Sequence, residues 1–560
     1  MRPPAALAIA LLLTPALTAQ TLRVDATLTT GANDGSSWAN AFQGSQGLHD
    51  ALAAAPAGAE VWLAAGVYLP SDSLDPRACF EVLADDVVLR GGFAGFESTP
   101  FERPGIGGAR TILSGDLAGD DDASLTAGAD NSDVVVHVGA ERIALDRLEL
   151  VGGGVGPGVG APQPGAALLL GAGARGIRMT DCRVERCYEF GVIAAAFGPA
   201  FEVFVSGCTF RDVAAVGLYA LSFDSPVEVE RCTFERCDIA FFLGERWLDG
   251  SRLRSSVVRA CRVGLVFHVD AFAQVIAYVD GCTIVDNVQA GVSQSIAGMG
   301  VPPLGVVVRN SILAGNNGAF PADGQVSSYV FPEHSLVEGG GFGPTVLDAD
   351  PMFVDRAGGD LRLLAGSPAI DRGTAAGYAD GDLDLDGRHR AVDVASVPNE
   401  GAGTPDFIDL GAYEFTGSIG DNLGCSAEPN STGLRGRLLA RGSVAAAAND
   451  LIIVGEHLPA GQFSMFLASW QQGFVPMAGG PGTLCLGGAI GRFNRPGEIQ
   501  AIGPAGSVAL AVDLASLPQP TSLVAAQPGE TWRFQLWHMD LDPSGSTTNR
   551  FTGVVAVRLE

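Results

Sequence analysis

Six segments of the chain repeat one pattern at intervals near 25 residues, and this repeat limits the possible folds more than any other feature. The segments begin at Cys182, Cys208, Cys232, Ser256, Cys282 and Asn310. Each has an apolar residue two places on, then charged residues, then a small residue that opens a second apolar run. Short β-rich runs at this period predict stacked coils of strands that bury their apolar faces against one another. We therefore predict an all-β protein whose main part is a right-handed parallel β-helix.

The repeat also predicts which side chains face the interior of the coils. Coils are expected from about residue 57 to about residue 370. The residues two places after each start should form one interior column, namely Val184, Phe210, Phe234, Val258, Ile284 and Ile312.

Two further columns carry charges whose sign alternates from coil to coil. They comprise Glu185, Arg211, Glu235 and Arg259 in one column, and Arg186, Asp212, Arg236, Ala260 and Asp286 in the other. Equivalent residues of stacked strands lie about 4.8 Å apart, so each charge faces an opposite one. We interpret these columns as ion pairs that fix the register and not as a catalytic acid–base set.

Most cysteines follow the repeat as well. Cys182, Cys208, Cys232 and Cys282 share one column, and Cys187, Cys237 and Cys261 share another. Because a free cysteine behaves as a small buried apolar residue, these columns are predicted to lie inside the coils; disulfides between coils are the alternative. Zinc is not expected, because the C-x4-C spacing has no accompanying histidine. Cys425 and Cys485 lie apart from the repeat and are the predicted disulfide.

Charge and composition exclude several functions. The chain has 34 basic and 62 acidic residues, a net charge of −28, and all its basic residues are arginine. Chemistry that needs a lysine, such as a Schiff base or a P-loop, is therefore excluded. Strong negative charge also argues against nucleic acid and anionic membranes as partners.

The first residues have the features of an export signal. Met1-Arg2 precedes an apolar run from Ala5 to Leu17, and Leu17-Thr18-Ala19 suits cleavage before Gln20. We predict a signal peptide at 1–19, and hence a secreted or cell-surface protein. No later stretch reaches the roughly 20 apolar residues of a membrane helix, so no membrane span is expected.

Several motifs carry a family resemblance. The segment GANDGSSWANAFQGSQGLHDALAAAPAGAEVWLAAGVYLP, the pieces RTILSGD and DPMFVD, and the closing GDLRLLAGSPAIDRG, DLDLDGRHR and IDLGAYEF resemble secreted bacterial β-helix proteins of the pectate-lyase-like superfamily. The combination resembles the type described as a "choice-of-anchor" β-helix domain. The resemblance implies secretion and a β-helix at 20–415, with a short helix around Leu48 to Ala55 that caps the open first coil.

The remainder of the chain has a different pattern of apolar and turn residues. Residues 425–560, after a linker at 416–424, alternate short apolar runs with Gly, Pro and Asn turns, which predicts a β-sandwich. The pieces CSAEPNSTG and PGETWRFQLW resemble a C-terminal domain found on many secreted bacterial proteins. By its position we interpret it as an attachment or binding module.

One motif suggests a metal ion. Asp382, Asp384, Asp386 and Gly387 form D-x-D-x-D-G, with the Arg388 carbonyl and Asp393 at the further ligand positions of a calcium loop. Asp-rich turns bonded to their own backbone have the same composition, so calcium and a plain turn both stay open. The cluster at Asp116, Asp120, Asp121 and Asp122 is interpreted as a solvated loop.

Catalysis has only weak candidates. When the runs after each glycine are aligned, Tyr219, Glu245, His268 and Gln294 fall within a few columns of one another. Glu245 and His268 are the candidate acid–base pair, and Tyr219 and Gln294 are candidate binding residues. The alternative is a polar solvent face.

Three functions follow from these patterns. The first is a non-catalytic extracellular protein that binds polysaccharide or another surface component. The second is a polysaccharide lyase or glycoside hydrolase with a non-standard site on the β-helix. The third is a structural envelope protein.

Overall fold

The computed structural model describes most of the chain after the predicted signal peptide. It covers residues 20–559 except 105–107, 122–124, 126–127, 155–164, 172, 196–201, 222–225, 246–249, 271–276, 298–304, 318–323, 365, 395–396, 417–420, 423–426, 428, 477–481 and 542–545. The predicted signal peptide at 1–19 lies outside the described residues. No helix in the described part is long and apolar enough to cross a membrane.

The first strand of every coil belongs to one sheet. This 12-stranded sheet is parallel throughout its length. Its strands, in spatial order, are Phe42–Gln43, Thr21–Asp25, Glu60–Ala64, Val88–Phe93, Glu141–Asp146, Arg175–Thr180, Val203–Ser206, Val227–Glu230, Arg252–Arg254, Ala277–Asp280, Val306–Arg309 and Val330–Glu333.

The second and third strands of each coil share a 17-stranded parallel sheet. The second strands are Gly66–Tyr68, Thr111–Ser114, Glu149–Val151, Arg183–Cys187, Val257–Arg259, Thr283–Val285, Ile312–Ala314, Ser335–Val337 and Val346–Leu347. The third strands are Phe80–Val82, Val134–Val138, Ala166–Leu170, Phe190–Ala195, Val263–Asp270 and Ala290–Ala297. In two coils both strands are continuous, as Thr209–Leu221 and Thr233–Glu245. The predicted parallel β-helix is therefore confirmed.

Left-handed residues mark two corners of each coil. Their φ values lie between +44° and +66°. They are Asp181, Gly207, Arg231, Ser255, Gly281 and Asn310 before the second strand, and Arg186, Asp212, Arg236, Ala260 and Asp286 after it. A single left-handed residue turns the chain from one strand into the next at modest energetic cost. The second predicted charge column thus lies at a corner.

The predicted interior column is confirmed over five of its six members. Val184, Phe210, Phe234, Val258 and Ile284 are in register and fully buried. The Phe210 and Phe234 rings stack with centroids 4.7 Å apart.

The prediction of the sixth member of this column, Ile312, is wrong by one residue. Ile284 pairs with Leu313, whereas Ile312 pairs with Thr283. Ile312 therefore faces outward, and it is buried because the segment that follows the coils covers it.

The alternating charges form ion pairs between coils, as predicted, in part of the two columns. Glu185 instead pairs with Arg183 of its own strand, and Arg186 donates to the Asp121 carbonyl. The Arg211 guanidinium lies 2.7 Å from the Glu235 carboxylate, and that of Arg259 lies 3.2 Å from the same group. At the corner, Arg236 pairs with Asp212 at 2.7 Å. Asp286 departs from the predicted pattern, since its partner is Arg356 of the segment after the coils.

This geometry leads to a stability prediction. Arg211→Glu places like charges in register with both Glu185 and Glu235, so it should lower the melting temperature more than Arg211→Gln does. The difference should correspond to about 1 kcal/mol and should shrink at high salt, because the Arg211 side chain is 44% exposed and salt screens its interactions. Calorimetry at two salt concentrations measures it, and equal melting temperatures for the two variants would contradict the register-setting role.

The cysteine columns lie inside the coils as free thiols. Cys182, Cys208, Cys232 and Cys282 are buried and unpaired. Serines continue the column, and their hydroxyls accept backbone N–H bonds across coils, from Cys232 to Ser256 at 3.0 Å and from Cys282 to Ser311 at 3.0 Å. The alternative of disulfides between these coils is not observed.

A helix closes the first coil where the sequence predicts one. It spans Gly47–Ala54 and buries Leu48 and Ala51 against the interior of the first coils. Single 3-10 turns occur at Trp38–Asn40, Pro100–Glu102, Gly128–Asp130 and Ala446–Ala448.

The coils end earlier than predicted. The last coil strand is Val346–Leu347, and residues 353–415, here called the tail, form no further coil. The tail contains one antiparallel pair, Phe353–Asp355 with Asp360–Leu363. Its apolar residues pack on the outer face of the last second strands.

The C-terminal region is antiparallel and has a separate core. Its strands are Asp421–Asn422, Arg437–Arg441, Ile452–Glu456, Phe463–Ser469, Gln471–Pro476, Thr483–Gly487, Gly491–Arg492, Ile499–Ala501, Val508–Ala511, Leu517–Pro518, Leu523–Val524, Thr531–Leu541 and Thr547–Arg558. A six-stranded and a three-stranded sheet contribute to one apolar cluster around Trp532. Part of the predicted 416–424 linker belongs to this region, because Asp421 and Asn422 pair with Ala556 and Val555.

Candidate functional site

An aromatic strip runs across the outer face of the third strands. We define it as Tyr219, Phe242 and His268, three half-buried side chains on successive coils. The rings of Tyr219 and Phe242 stack at 4.9 Å, and those of Phe242 and His268 lie 6.2 Å apart. The His268 Nδ1 lies 2.9 Å from the Ser295 hydroxyl on the next coil. The strip therefore spans three coils, and its contact with Ser295 extends it to a fourth.

A polar row begins the same third strands. The Arg262 guanidinium binds the Asp238 carboxylate, with its two contacts at 2.5 and 2.7 Å. It also donates to the Gln289 side-chain oxygen at 2.6 Å. The row is close to neutral in charge, because its arginine and its aspartate pair with each other.

The four residues aligned by sequence fall into four different columns. In the observed register Gly217 matches Gly264 and Gly291, while Ala240, not Gly244, occupies the equivalent place in the coil between them. Each of the four residues follows the member of this column in its own coil by a different number of positions. The distance is two positions for Tyr219, three for Gln294, four for His268 and five for Glu245. Since side chains alternate between faces along a strand, only Tyr219 and His268 share the outer face.

Gln294 is not a surface residue, contrary to the prediction. It continues the interior column of Ala220, Leu243 and Phe267. Its amide nitrogen and oxygen are buried without a hydrogen-bond partner. A side chain inside the coil cannot contact a ligand on the outer face.

The predicted acid–base pair is not formed in the backbone register. Glu245 pairs with Val269, whereas His268 pairs with Gly244. The Glu245 side chain lies outside the described residues. Of the described carboxylates beside the strip, Asp238 is bound to Arg262, and Glu189 accepts the Gly165 N–H at 2.8 Å. Glycoside hydrolysis needs two carboxyl groups across one bond, and these two carboxylates are each bonded within the protein.

Sequence reasoning missed Phe242, the central ring of the strip. The signal was present in the run Ala240-Phe241-Phe242, where alternation places one phenylalanine inside and the next outside. Alignment on glycine concealed it, because alanine replaces glycine in that coil.

The D-x-D-x-D-G segment forms a turn stabilised by its own backbone. Both carboxylate oxygens of the buried Asp384 accept N–H bonds, from Arg388 at 2.7 Å and from Glu414 at 3.0 Å. Asp382 pairs with Arg254 of a coil, and the Asp386 carboxylate lies 3.4 Å from the Arg388 guanidinium.

The predicted calcium ligands are therefore not brought together. Both Asp384 oxygens are engaged, one within the turn and one by the Glu414 N–H, and the Arg388 carbonyl accepts the Asp384 N–H at 2.7 Å. Asp393 is exposed. Among the described residues, the geometry favours the turn interpretation over the calcium loop.

Buried carboxyl groups are concentrated in the tail. Burial, with the charge of Asp386 second, raises the pKa of Asp384 to about 6. Burial also raises the pKa of Glu414 well above its usual range, with Asp409 contributing further. Such groups favour the protonated form in the folded state.

Stability should therefore fall as the pH rises. Between the ordinary aspartate pKa near 4 and the folded value about 6, native Asp384 binds more protons than the unfolded chain does, so the unfolding free energy decreases across this window. Melting temperatures in chelator should be higher at pH 5 than at pH 8 for wild type. The loss should be smaller for Asp384→Asn, and an equal loss in both proteins would contradict this assignment.

The loop at 116–130 is held by its own aspartates. Oxygens of Asp116, Asp120 and Asp130 lie within 4.8 Å of one another. The Asp116 carboxylate accepts N–H bonds from Gly119, Asp120 and Asp121. Asp121 is bound to Tyr188 and Asn131, so the cluster is more structured than the solvated loop predicted; Asp122 lies outside the described residues.

A polar cleft of about 160 Å³ separates the first corner of the coils from the tail. Its charged groups largely satisfy one another: Arg254 pairs with Asp382, and Arg309 pairs with Asp280 at 2.9 Å. The Arg390 guanidinium donates to two tail carbonyls. The residues that line the cleft mainly hold the tail against the coils.

The predicted disulfide has one partner that can be placed. Cys485 is buried in the C-terminal region. Cys425 lies outside the described residues, so the pairing stays a prediction.

Comparisons with known proteins found only distant likenesses. No protein-family description matches the chain, and no curated protein matches it. Among solved structures, pectate lyase Pel9A matches with 15% identity and a TM-score of 0.35, over 71% of this chain and 96% of that one. The enzymatically active domain of tailspike protein 2 of bacteriophage CBA120 matches with 10% identity and a TM-score of 0.32, over 97% and 79%. The Dettilon tailspike protein matches with 10% identity and a TM-score of 0.27, over 96% and 85%. At these values the fold assignment depends on the strand topology.

Proposed function

We propose that the protein binds a neutral polysaccharide along the outer face of its third strands, without cleaving it. The observation that carries the proposal is the aromatic strip, in which the rings of Tyr219, Phe242 and His268 follow one another on the outer face of successive coils, with His268 displaced two residues along its strand. Sugar rings present apolar C–H groups beside hydroxyls, and aromatic side chains combine an apolar body with little conformational entropy. The polar row of Asp238, Arg262 and Gln289 supplies hydrogen-bonding groups on the same face.

Charge argues for a neutral ligand. The chain carries a net charge of −28, and a field of that sign slows and weakens the approach of polyanions. The only described arginine of the polar row is paired with Asp238. A uronic-acid polymer would therefore find no unpaired cation among the described groups of that row.

Glycan binding by the secreted protein tests the proposal. Immobilised neutral and acidic polysaccharides are offered to the full chain, and both retention and soluble products are measured. We expect retention on a neutral polymer and no products. Release of oligosaccharides would overturn the non-catalytic proposal in favour of a lyase or hydrolase.

The strip residues can be tested individually. Phe242→Ala should weaken binding about two- to tenfold, since one aromatic contact contributes roughly 0.5–1.5 kcal/mol. The matched control is Phe331→Ala, which removes an exposed phenylalanine from the outer face of the other sheet. Equal affinity for wild type and Phe242→Ala would place the ligand elsewhere.

Location and the C-terminal region complete the proposal. We propose that the chain is exported and acts outside the cell or at its surface. Residues 425–560 would then be a β-sandwich module for attachment or binding. Mass spectrometry of the mature N-terminus in culture medium and cell envelope tests the export.

A further inference from the structure

The loop at 116–130 brings three carboxylates close together. It joins the second strand of one coil to the third strand of the same coil. Side-chain oxygens of Asp116, Asp120 and Asp130 all lie within 4.8 Å of one another. Calcium binds oxygens at about 2.3–2.6 Å, so two oxygens on one ion are at most about 5 Å apart. The three carboxylates are therefore close enough to bind a single calcium ion together.

These three charges are not offset by arginine. Among the described ion pairs, none includes Asp116, Asp120 or Asp130. The Arg186 guanidinium reaches this loop, but its described bond is to the Asp121 backbone carbonyl, at 3.1 Å. Like charges this close repel one another, so the loop gains stability when a cation binds between them.

A buried side chain without a partner lies inside the same loop. Asn131 follows Asp130 and is completely buried, and its Oδ1 atom has no hydrogen-bond partner. Its Nδ2 atom donates to the Asp121 carboxylate at 2.7 Å, and the Asp121 N–H donates to Asp116 at 3.1 Å. The carboxamide is therefore held beside the carboxylates. Buried amide oxygens nearly always have a partner, which can be an ion or a water molecule.

Gly152 of the next coil locates the carboxamide further. A Cβ atom on Gly152 would lie 2.9 Å from the Asp116 backbone nitrogen, and 3.4 Å from both the Asn131 Nδ2 and an Asp121 carboxylate oxygen. Asn131, Asp116 and Asp121 thus converge on one small volume. Gly152 has φ 66°, in the left-handed region that favours glycine, and the absence of a side chain leaves room for these groups.

The carboxylates keep free positions for an ion. The two Asp116 oxygens accept three backbone N–H bonds of the loop, and an ionised carboxylate offers about four lone pairs. Asp130 accepts one described N–H bond, from Ala118 at 3.1 Å. Asp120 is exposed, which gives an ion access from solvent. Carboxylates, amide oxygens and water are the ligands that calcium prefers.

We propose that Asp116, Asp120 and Asp130, with the Oδ1 atom of Asn131 as a fourth ligand, bind a divalent cation of the calcium type. The ion joins the two ends of the loop. It also fixes the loop against a later coil, because the Tyr188 hydroxyl donates to the Asp121 carboxylate at 2.6 Å.

Calcium titration of the chelator-treated full chain tests the proposal. Calorimetric titration should show a site that is lost, or weakened at least tenfold, in both Asp120→Asn and Asp130→Asn. The melting temperature of wild type should rise in millimolar calcium, and this rise should be absent in the two variants. If Asp130→Asn does not fold, Asp120→Asn decides the result, because its side chain is exposed. Asn131→Ala should weaken binding at least threefold, and unchanged affinity would remove its Oδ1 atom from the ligands.

Two control variants separate this site from the D-x-D-x-D-G segment. Asp386→Asn and Asp393→Asn each remove one carboxylate there, and Asp393 matches Asp120 in being exposed; both variants should retain the site. The proposal is overturned by an absence of calcium binding in wild type, by unchanged binding in Asp120→Asn or Asp130→Asn, or by loss of the site in Asp386→Asn or Asp393→Asn.

Discussion

Replacing Phe234 with alanine is expected to lower the free energy of unfolding by about 3–5 kcal/mol, the range for a large aromatic side chain removed from a packed core. Phe234 is completely buried and stacks on Phe210 of the preceding coil. It also contacts Phe241 within its own coil, at a centroid distance of 6.5 Å. Because a coil buries its apolar face only against its neighbours, the cavity weakens both interfaces. Denaturant unfolding measures the loss.

The matched control for this variant is Phe331→Ala. Phe331 lies on a strand of the other sheet with 54% of its surface exposed. Its replacement should change the unfolding free energy by about 0.5 kcal/mol or less. Similar losses for the two variants would mean that Phe234 is not the interior residue that the register makes it.

Arg550→Ala is expected to destabilise the C-terminal region by about 3–5 kcal/mol, because it leaves a buried charge without its partner. Asp540 is completely buried and accepts a charge-assisted bond from Arg550. Its other described partner is the Ser431 N–H at 2.9 Å. One backbone donor does not replace a guanidinium as the partner of a buried carboxylate. Differential scanning calorimetry measures the loss as a lower melting temperature of the transition assigned to the C-terminal region.

The double variant Asp540→Leu with Arg550→Leu provides the internal control. Removing both charges eliminates the unpaired carboxylate, so the double variant should be more stable than Arg550→Ala alone. If the double variant is the less stable of the two, the pair contributes more than the desolvation of its charges costs, and our reasoning about this site is wrong.

The repeat was sufficient to predict the fold and most of the register. Cysteine at the same place in four coils identified the column, and the apolar residue two places on proved to be interior in each case. The predicted register is wrong at the coil near Asn310, where no cysteine marks the column. The repeat spacing aligns Asn310 with Cys282, whereas in the structure Asn310 occupies the left-handed corner like Gly281, and Ser311 continues the cysteine column. A slip of one residue reverses the face, which is why Ile312 was assigned to the interior.

The candidate site was harder to predict, for a related reason. Register in the third strands depends on irregularities that sequence spacing does not show. Thr209–Leu221 carries one extra residue between Val213 and Val216 relative to the next coil. The true column of Tyr219 therefore leads to Phe242, not to Glu245 or Gln294. An alignment of the repeats on a single glycine does not reveal this extra residue.

The position of the closing motifs in the structure could not be predicted from the sequence either. The tail resembles the end of β-helix proteins, and its motifs were assigned to the coils for that reason. Its placement depends on contacts between distant residues, such as Arg254 with Asp382 and Asn310 with Thr374. Pairings of this kind have no local pattern, since each joins residues more than 60 positions apart.

The tail makes the early and late ends of the β-helix differ in their resistance to unfolding under force. A stack of coils coupled only to nearest neighbours can fray from either end, but here the last coils are bridged sideways by Arg254, Thr283, Asp286 and Asn310, each bonded to the tail. Peeling one of these coils away requires several coils to release the tail together. The early coils carry no such bridge to the tail among the described contacts. Under a pulling force the chain should therefore unravel coil by coil from its early end, while the late coils resist and then yield in one large step.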